Sequence, residues 1–184
     1  KSFYSDTTEL IRMMLSSYRP MFMVMYHYEY TILGFDPYKL HLMLIVLQII
    51  QAIIAFFFFR MLTQNNTVAV ASALLFPLNP NLWMHFTWNT EIPNATGMIF
   101  FLLSLVFLVS YLRKPKFHII LFHFFFAILA YLTKETYYAI CFVSILTILF
   151  YRNSNYKKYV PLIIWHLIIF TTYLMARFYF LKKW

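Results

Sequence analysis

The chain has 184 residues, of which 62% are hydrophobic and 11% charged, with a net charge of +9 and a mean hydropathy of +0.69. Soluble domains carry about 25% charged residues, so this composition excludes an ordinary soluble protein and indicates an integral membrane protein. The positive charges are divided among short segments between apolar runs. They form no continuous basic stripe, which excludes nucleic acid as a partner.

Residues 1–40 are predicted to form an external juxtamembrane region that does not cross the membrane. Apolar side chains in residues 7–15 have the spacing of one helical face, and residues 21–32 are rich in aromatic side chains and methionine but carry His27 and Glu29. We therefore expect two amphipathic helices at the membrane interface. The GFDP sequence at residues 34–37 predicts a turn after them.

Residues 41–184 are predicted to form a transmembrane bundle. Six apolar runs approach the roughly 20 residues that a bilayer-spanning helix needs, and together they predict an all-α, polytopic helix bundle. Pro77 and Pro80 should bend the far end of the second run, and the fourth and fifth should form a tight antiparallel hairpin. The predicted spans are residues 41–59, 67–86, 95–112, 117–133, 136–151 and 159–176.

The Lys and Arg residues of the loops predict the orientation of this bundle. One set of loops contains seven positive residues, and the opposite loops between spans contain only Lys134. The first set should be cytoplasmic, which places all six acidic residues on the external side. The seven positive residues are Arg60, Arg113, Lys114, Lys116, Arg152, Lys157 and Lys158.

Lys134 and Glu135 are the strongest site candidates in the chain itself. A charged hairpin between membrane helices is costly unless the charges are paired or functional. Arg19, after Tyr18, is a further candidate for phosphate contact, and the external side also holds Glu91 and His41. Cations on this side suit a lipid-linked phosphate; the same charges also suit interfacial anchors and salt bridges.

The sequence predicts no metal site and no cofactor. His118 and His123 are five residues apart, which is poor spacing for two ligands on one helix face, and Cys141 is the one cysteine. The chain has two glycines, so glycine-mediated helix packing is expected to be minor.

Four sequence pieces occur in a suggestive order between residues 16 and 150. They are SYRP at residues 17–20, GFDP at 34–37 followed by His41, ALLFPLNP at 73–80 with Trp88 beyond it, and LTKET at 132–136. In order and spacing they resemble the GT-C superfamily of membrane glycosyltransferases. The resemblance is closest to the branch that contains protein O-mannosyltransferases with tetratricopeptide tails and their bacterial relatives.

The resemblance implies a glycosyltransferase, or a fragment of one, that uses a polyprenyl-phosphate sugar on the non-cytoplasmic side. It implies an inner-membrane location in bacteria, or the endoplasmic reticulum in eukaryotes, with the site facing the periplasm or lumen. Lys134, Glu135, Arg19, Tyr18, Glu91 and His41 would bind substrate. The family's catalytic acid lies well upstream of the Tyr-Arg-Pro sequence, where Asp6 does not match it. The catalytic acid is therefore expected outside this chain, together with the first span and most of the first external loop.

Two other functions stay open at this point. A catalytically inactive relative would serve as a structural subunit of a larger membrane complex, with other membrane subunits as its partners. An unrelated transporter or respiratory-complex subunit is the third, although transporters usually contain internal repeats and interrupted helices. The sequence contains no clear repeat.

Overall fold

The computed structural model describes residues 19–34, 36–76, 92–151 and 159–181. This part of the chain is 92% helical and contains no strand, which confirms the all-α fold. Seven α-helices follow one another, and a 3₁₀ helix, Glu135–Tyr138, lies between the fifth and the sixth. The α-helices are α1 Pro20–Leu33, α2 Pro37–Thr63, α3 Asn66–Leu75, α4 Ile92–Arg113, α5 Phe117–Thr133, α6 Ala139–Phe150 and α7 Val160–Leu181.

Three of the described helices, α2, α4 and α7, are long and apolar enough to cross a membrane. The chain is therefore a membrane protein by length and composition. Helix α5 has the predicted bounds, and α4 extends the predicted third span by a few residues at its start. Helix α2 is longer than the predicted first span because it begins before His41 and continues beyond Arg60.

The ends of α2 follow from local chemistry. The Asp36 carboxylate accepts a hydrogen bond of 3.0 Å from the backbone N–H of Tyr38, and Pro37 occupies the first helical position. At the other end Gln64 has a left-handed backbone, with φ of 57°, and its N–H bonds to the carbonyl of Arg60 at 2.9 Å. Because these caps lie outside the apolar run, hydropathy alone underestimates the length of the helix.

The two neighbouring turns are equally well specified. Gly34 ends α1 with φ of 67°, a conformation that glycine adopts without strain. The Asn65 side chain caps α3 by accepting hydrogen bonds from the N–H groups of Thr67 and Val68 at 2.9 and 3.2 Å. Gly34 ends α1 and Asp36 caps α2, as expected of the predicted turn, in which Phe35 lies outside the described residues. Helix α2 is joined to α3 by only two residues.

Side-chain contacts show the relative directions of the helices. The Phe107 ring in α4 stacks on Phe122 near the start of α5, while Gly97 in α4 lies beside Thr133 at the end of α5, so these helices are antiparallel. Helix α7 runs parallel to α5, since His123 meets His166 and Tyr131 meets Tyr173.

Helix α4 is the centre of the bundle. Twelve of its 22 residues are buried, and it contacts α1, α2, α5 and α6. The close packing at Gly97 corrects the expectation that glycine is unimportant here. A Cβ atom at Gly97 would lie 2.5 Å from the Tyr137 ring and 2.8 Å from the Thr133 methyl group, so glycine allows this contact between α4 and the α5–α6 connection.

The helix directions give the bundle two chemically different ends. The Lys134 end contains the start of α4 and the connection between α5 and α6. The Arg113 end contains the last residues of α2, α4 and α6, which meet through Arg113, Met61 and Tyr151. The described cations Arg60, Arg113, Lys114 and Lys116 lie at this end, in the last turns of α2 and α4 and in the loop after α4.

Several sequence predictions fall on residues outside the described ranges. They are the helix at residues 7–15, Asp6, the bend at Pro77 and Pro80, and Arg152, Lys157 and Lys158. Tyr18 and Glu91, two predicted site residues, also lie outside them. For Glu135 the structure describes the backbone and not the side chain.

Candidate functional site at the Lys134 end

Lys134 occupies a short, well-defined connection. It is the C-cap of α5, with an extended backbone at φ of −156°, and its N–H bonds to the Ala130 carbonyl at 3.4 Å. The 3₁₀ helix Glu135–Tyr138 follows at once and leads directly into α6. The predicted short connection is therefore present, but α5 and α6 make little direct contact with each other and pack on α4 instead, so the expected tight packing of the two helices is wrong. The Lys134 side chain is half-buried at the turn.

The hairpin is held against the start of α4. The Tyr137 hydroxyl donates a hydrogen bond of 2.5 Å to the backbone carbonyl of Asn94, and the edge of the same ring lies over Gly97. Because Tyr137 and Thr133 both contact α4, the backbone on each side of Lys134 is fixed. Such anchoring on rigid elements is what a precise binding group requires.

A second polar feature lies between α2 and α4. The side-chain nitrogen of Gln51 donates a hydrogen bond of 2.8 Å to the Ala95 carbonyl, in the first turn of α4. Gln48 is also buried, and neither its side-chain oxygen nor its nitrogen has a hydrogen-bond partner. Buried amides without partners are uncommon in folded proteins. The sequence could have indicated this polar feature, because Gln48 and Gln51 interrupt an otherwise apolar span.

Glu29 in α1 is the most unusual acid among the described residues. It is only 5% exposed, and neither carboxylate oxygen has a hydrogen-bond partner. Leu33, one turn later on the same helix face, packs against the buried cluster at the starts of α2 and α4. Burial raises the pKa of Glu29 to about 7, so this carboxyl group is able to exchange a proton near neutral pH.

The raised pKa predicts a pH-dependent stability. The folded protein holds the Glu29 proton more tightly than the unfolded chain, so Glu29 favours folding at low pH. This contribution is lost as the pH rises from about 4.5 through about 7. Glu29→Gln should remove the part of the stability loss that Glu29 causes as the pH rises, and it should make the protein more stable than the wild type at pH 8. Thermal unfolding in detergent between pH 5 and 8 measures the effect.

The matched control for that experiment is His27→Gln. It removes another ionisable side chain from α1 and leaves the Glu29 contribution in place. A Glu29→Gln protein whose stability falls between pH 5 and 8 as steeply as that of the wild type would contradict the assignment.

The predicted site residues differ in their surroundings. Arg19 is half-buried at the start of α1, and its carbonyl accepts a hydrogen bond of 3.2 Å from the N–H of Met23. Helix α1 packs against α5, which leads into the Lys134 turn, and against α4, which contacts that turn. His41 is exposed on α2. Among the described residues, no hydrogen bond or ion pair joins the Lys134 side chain to Arg19 or His41.

A buried histidine pair lies deeper in the bundle. The Nε2 atoms of His123 in α5 and His166 in α7 are 2.9 Å apart, and Nδ1 of His123 lies 2.8 Å from the carbonyl oxygen of Ser104. The carbonyl can only accept, so His123 donates from Nδ1; when His123 is neutral, its Nε2 accepts the proton of His166. Sequence spacing compared His123 with His118 on the same helix and therefore missed this pair.

The described residues contain no group of three or more His, Cys, Asp or Glu side chains that could hold a metal ion. Cys141 is buried and has no disulfide partner within the described ranges. Comparison with known proteins finds no matching family model, no matching curated protein and no matching solved structure.

Proposed function

We propose that this chain is a GT-C-type glycosyltransferase, or a fragment of one, that transfers a sugar from a polyprenyl-phosphate donor on the non-cytoplasmic side of a membrane. The observation that carries the proposal is the arrangement at the Lys134 end. The SYRP sequence leads into α1, LTKET forms the α5–α6 connection, and α1 packs against both α4 and α5. SYRP, GFDP and LTKET are three of the four sequence pieces of the resemblance. SYRP leads into α1, which contacts the helix that ends in LTKET, and GFDP lies between α1 and α2.

The topology that goes with this function has six spans. Helices α2, α4 and α7 are three of them, and α3, α5 and α6 are the cores of the others. The opposite directions of α4 and α5, and the return of α7 to the direction of α5, support this arrangement, and the cationic loops favour a cytoplasmic Arg113 end. The Lys134 end then faces the periplasm or lumen, and α1 lies at that interface.

Each named residue has a chemical role in this proposal. Lys134, on an anchored turn, neutralises the donor phosphate, and Arg19 is suited to bidentate contact with it. Glu29 is the described carboxyl group best suited to accept a proton near neutral pH. Glu135, Tyr18, Glu91 and His41 remain proposed substrate contacts.

Replacing Lys134 with methionine tests the proposal. Removing a cation from the developing phosphate charge should lower transfer from a polyprenyl-phosphate sugar by about 10²-fold, with little change in melting temperature, because the turn is held by Tyr137 and not by the lysine. Arg19→Lys should retain part of the activity, and Arg19→Ala should retain little.

Lys39→Met is the matched control. Lys39 lies near the start of α2 and pairs with Asp36 at 3.7 Å on the surface, so its loss should leave transfer nearly unchanged. If Lys134→Met retains full transfer, or loses it only in step with stability, the phosphate role is wrong. If the wild type transfers no sugar in liposomes supplied with the donor, the structural-subunit alternative is favoured.

A further inference from the structure

A cavity of about 490 Å³ opens at the Arg113 end, far along the bundle from Lys134. It lies where the end of α2, the start of α3 and the end of α4 meet. Two guanidinium groups and two side-chain amides supply hydrogen-bond donors, and two apolar side chains supply a wall. Its lining residues are Phe57, Arg60, Met61, Gln64, Asn66 and Arg113.

The two arginines are held by different parts of the fold. Nε of Arg113 donates a hydrogen bond of 2.6 Å to the Tyr151 hydroxyl, and a terminal nitrogen of the same guanidinium donates to the Met61 carbonyl. Arg60 lies with its guanidinium carbon 6.0 Å from the centre of the Phe56 ring. Arg113 is thus fixed at the meeting point of three helices, and several of its N–H groups stay available for a ligand.

Among the residues that the structure describes, no acidic side chain neutralises this pair. Within the described ranges neither Arg60 nor Arg113 has a carboxylate partner. The sequence itself has no Asp or Glu between Asp36 and Glu91, none between Glu91 and Glu135, and none after Glu135. The last turns of α2 and α4 and the loops after α4 and α6 therefore contain cations and no acids, so these segments supply no anion to neutralise the cavity.

The surface beside the cavity indicates the source of that anion. Ile45, Ile49, Ile53 and Phe57 recur every four residues along α2, and each is about half exposed. They form one apolar stripe of roughly 18 Å at 1.5 Å per residue, and its last residue, Phe57, also lines the cavity. An acyl chain on this stripe would bring its headgroup to Arg60 and Arg113.

We propose that this cavity binds the phosphate group of an anionic phospholipid, whose acyl chain lies along the α2 stripe. Guanidinium groups match the geometry of phosphate oxygens, and basic pockets between membrane helices suit lipid headgroups. The amides of Gln64 and Asn66 add neutral donors at the rim. The site is independent of the sugar-transfer function and of the Lys134 end.

The test compares lipids on the intact chain in neutral detergent. Binding of phosphatidylglycerol and phosphatidylcholine is measured by native mass spectrometry, with melting temperature recorded in parallel. The wild type should prefer phosphatidylglycerol, and Arg60→Gln should weaken that preference about tenfold without lowering the melting temperature, since the Arg60 side chain makes no hydrogen bond to another helix among the described residues. Arg113→Gln should weaken it as well, with some loss of stability.

Lys116→Gln is the matched control, because it removes one positive charge from the same end of the bundle without lining the cavity. Its effect should stay below about twofold. An equal loss in Lys116→Gln and Arg60→Gln would mean that only the general positive charge attracts lipid, and it would overturn the proposal. A wild type that binds phosphatidylglycerol and phosphatidylcholine equally well would also overturn the proposal. Inorganic phosphate that stabilises the protein as much as phosphatidylglycerol does would show a site for soluble phosphate and overturn the lipid assignment.

Discussion

Replacing Gly97 with alanine is expected to destabilise the protein by about 1–3 kcal/mol. At an open helical site the same change would stabilise by roughly 1 kcal/mol, because alanine is the better helix former. The sign of the stability change therefore depends on the contact of Gly97 with Tyr137 and Thr133. The new Cβ would lie 2.5 Å from Cε2 of Tyr137 and 2.8 Å from Cγ2 of Thr133. The Tyr137 ring is fixed by its hydrogen bond to Asn94 and cannot move aside freely.

The measurement is the free energy of unfolding in detergent. Thr133→Ser removes the clashing methyl group and keeps the hydroxyl that bonds to the Leu129 carbonyl at 2.8 Å, so adding it to Gly97→Ala should recover part of the loss. If the single Gly97→Ala variant is more stable than the wild type, α4 does not approach the hairpin in this way. The Lys134 turn would then lack its anchor, and the case for a preorganised site would fail with it.

The second large effect is expected at the buried histidine pair. His123→Leu or His166→Leu alone should cost about 1–3 kcal/mol, because each leaves a buried imidazole nitrogen without its partner. The double replacement should cost less than the sum of the two single replacements, since it removes both polar groups from the apolar interior together. The difference between the summed costs of the single variants and the cost of the double variant is the coupling energy of the two histidines. For polar pairs between membrane helices this energy is roughly 1 kcal/mol.

His118→Leu serves as the control in the same series. It is the same substitution on the same helix, but His118 is exposed at the start of α5, so its effect should be within about 0.5 kcal/mol. Strict additivity of the His123 and His166 variants would contradict a direct bond between them. It would also place α5 and α7 in a different register, because His123, Tyr131, His166 and Tyr173 define their alignment.

Phospholipid binding at the Arg113 end and sugar transfer at the Lys134 end would use opposite ends of one bundle. The described chemistry of the two ends differs accordingly. Arg60 and Arg113 share an open cavity without acids, whereas the Lys134 end combines a cation with the buried carboxyl group of Glu29 and the buried amides of Gln48 and Gln51. Variants at one end should leave the readout at the other unchanged, which separates the two proposals experimentally.

Much of the helical organisation could be predicted from the sequence because charge and hydropathy are local properties. Lys116 and Lys134 flank an apolar run, and α5 has the bounds that this predicts. The break between α1 and α2 and the short α5–α6 connection are also local, since turn residues and short connections leave few alternatives. The ends of α2 were less predictable, because Arg60 interrupts the apolar run while the helix continues to Thr63 and is capped by Gln64.

The sequence by itself determined that this is an all-helical membrane protein with cations concentrated in one set of loops. It did so because the cost of placing charge and backbone in lipid depends on composition and on residue order. Only the tertiary structure decided which side chains meet. Burial of Glu29, the pairing of His123 with His166 and the packing of Tyr137 on Gly97 all depend on how each helix is rotated about its axis and aligned with its neighbours. A strongly apolar helix has no sharp polar face to encode that rotation.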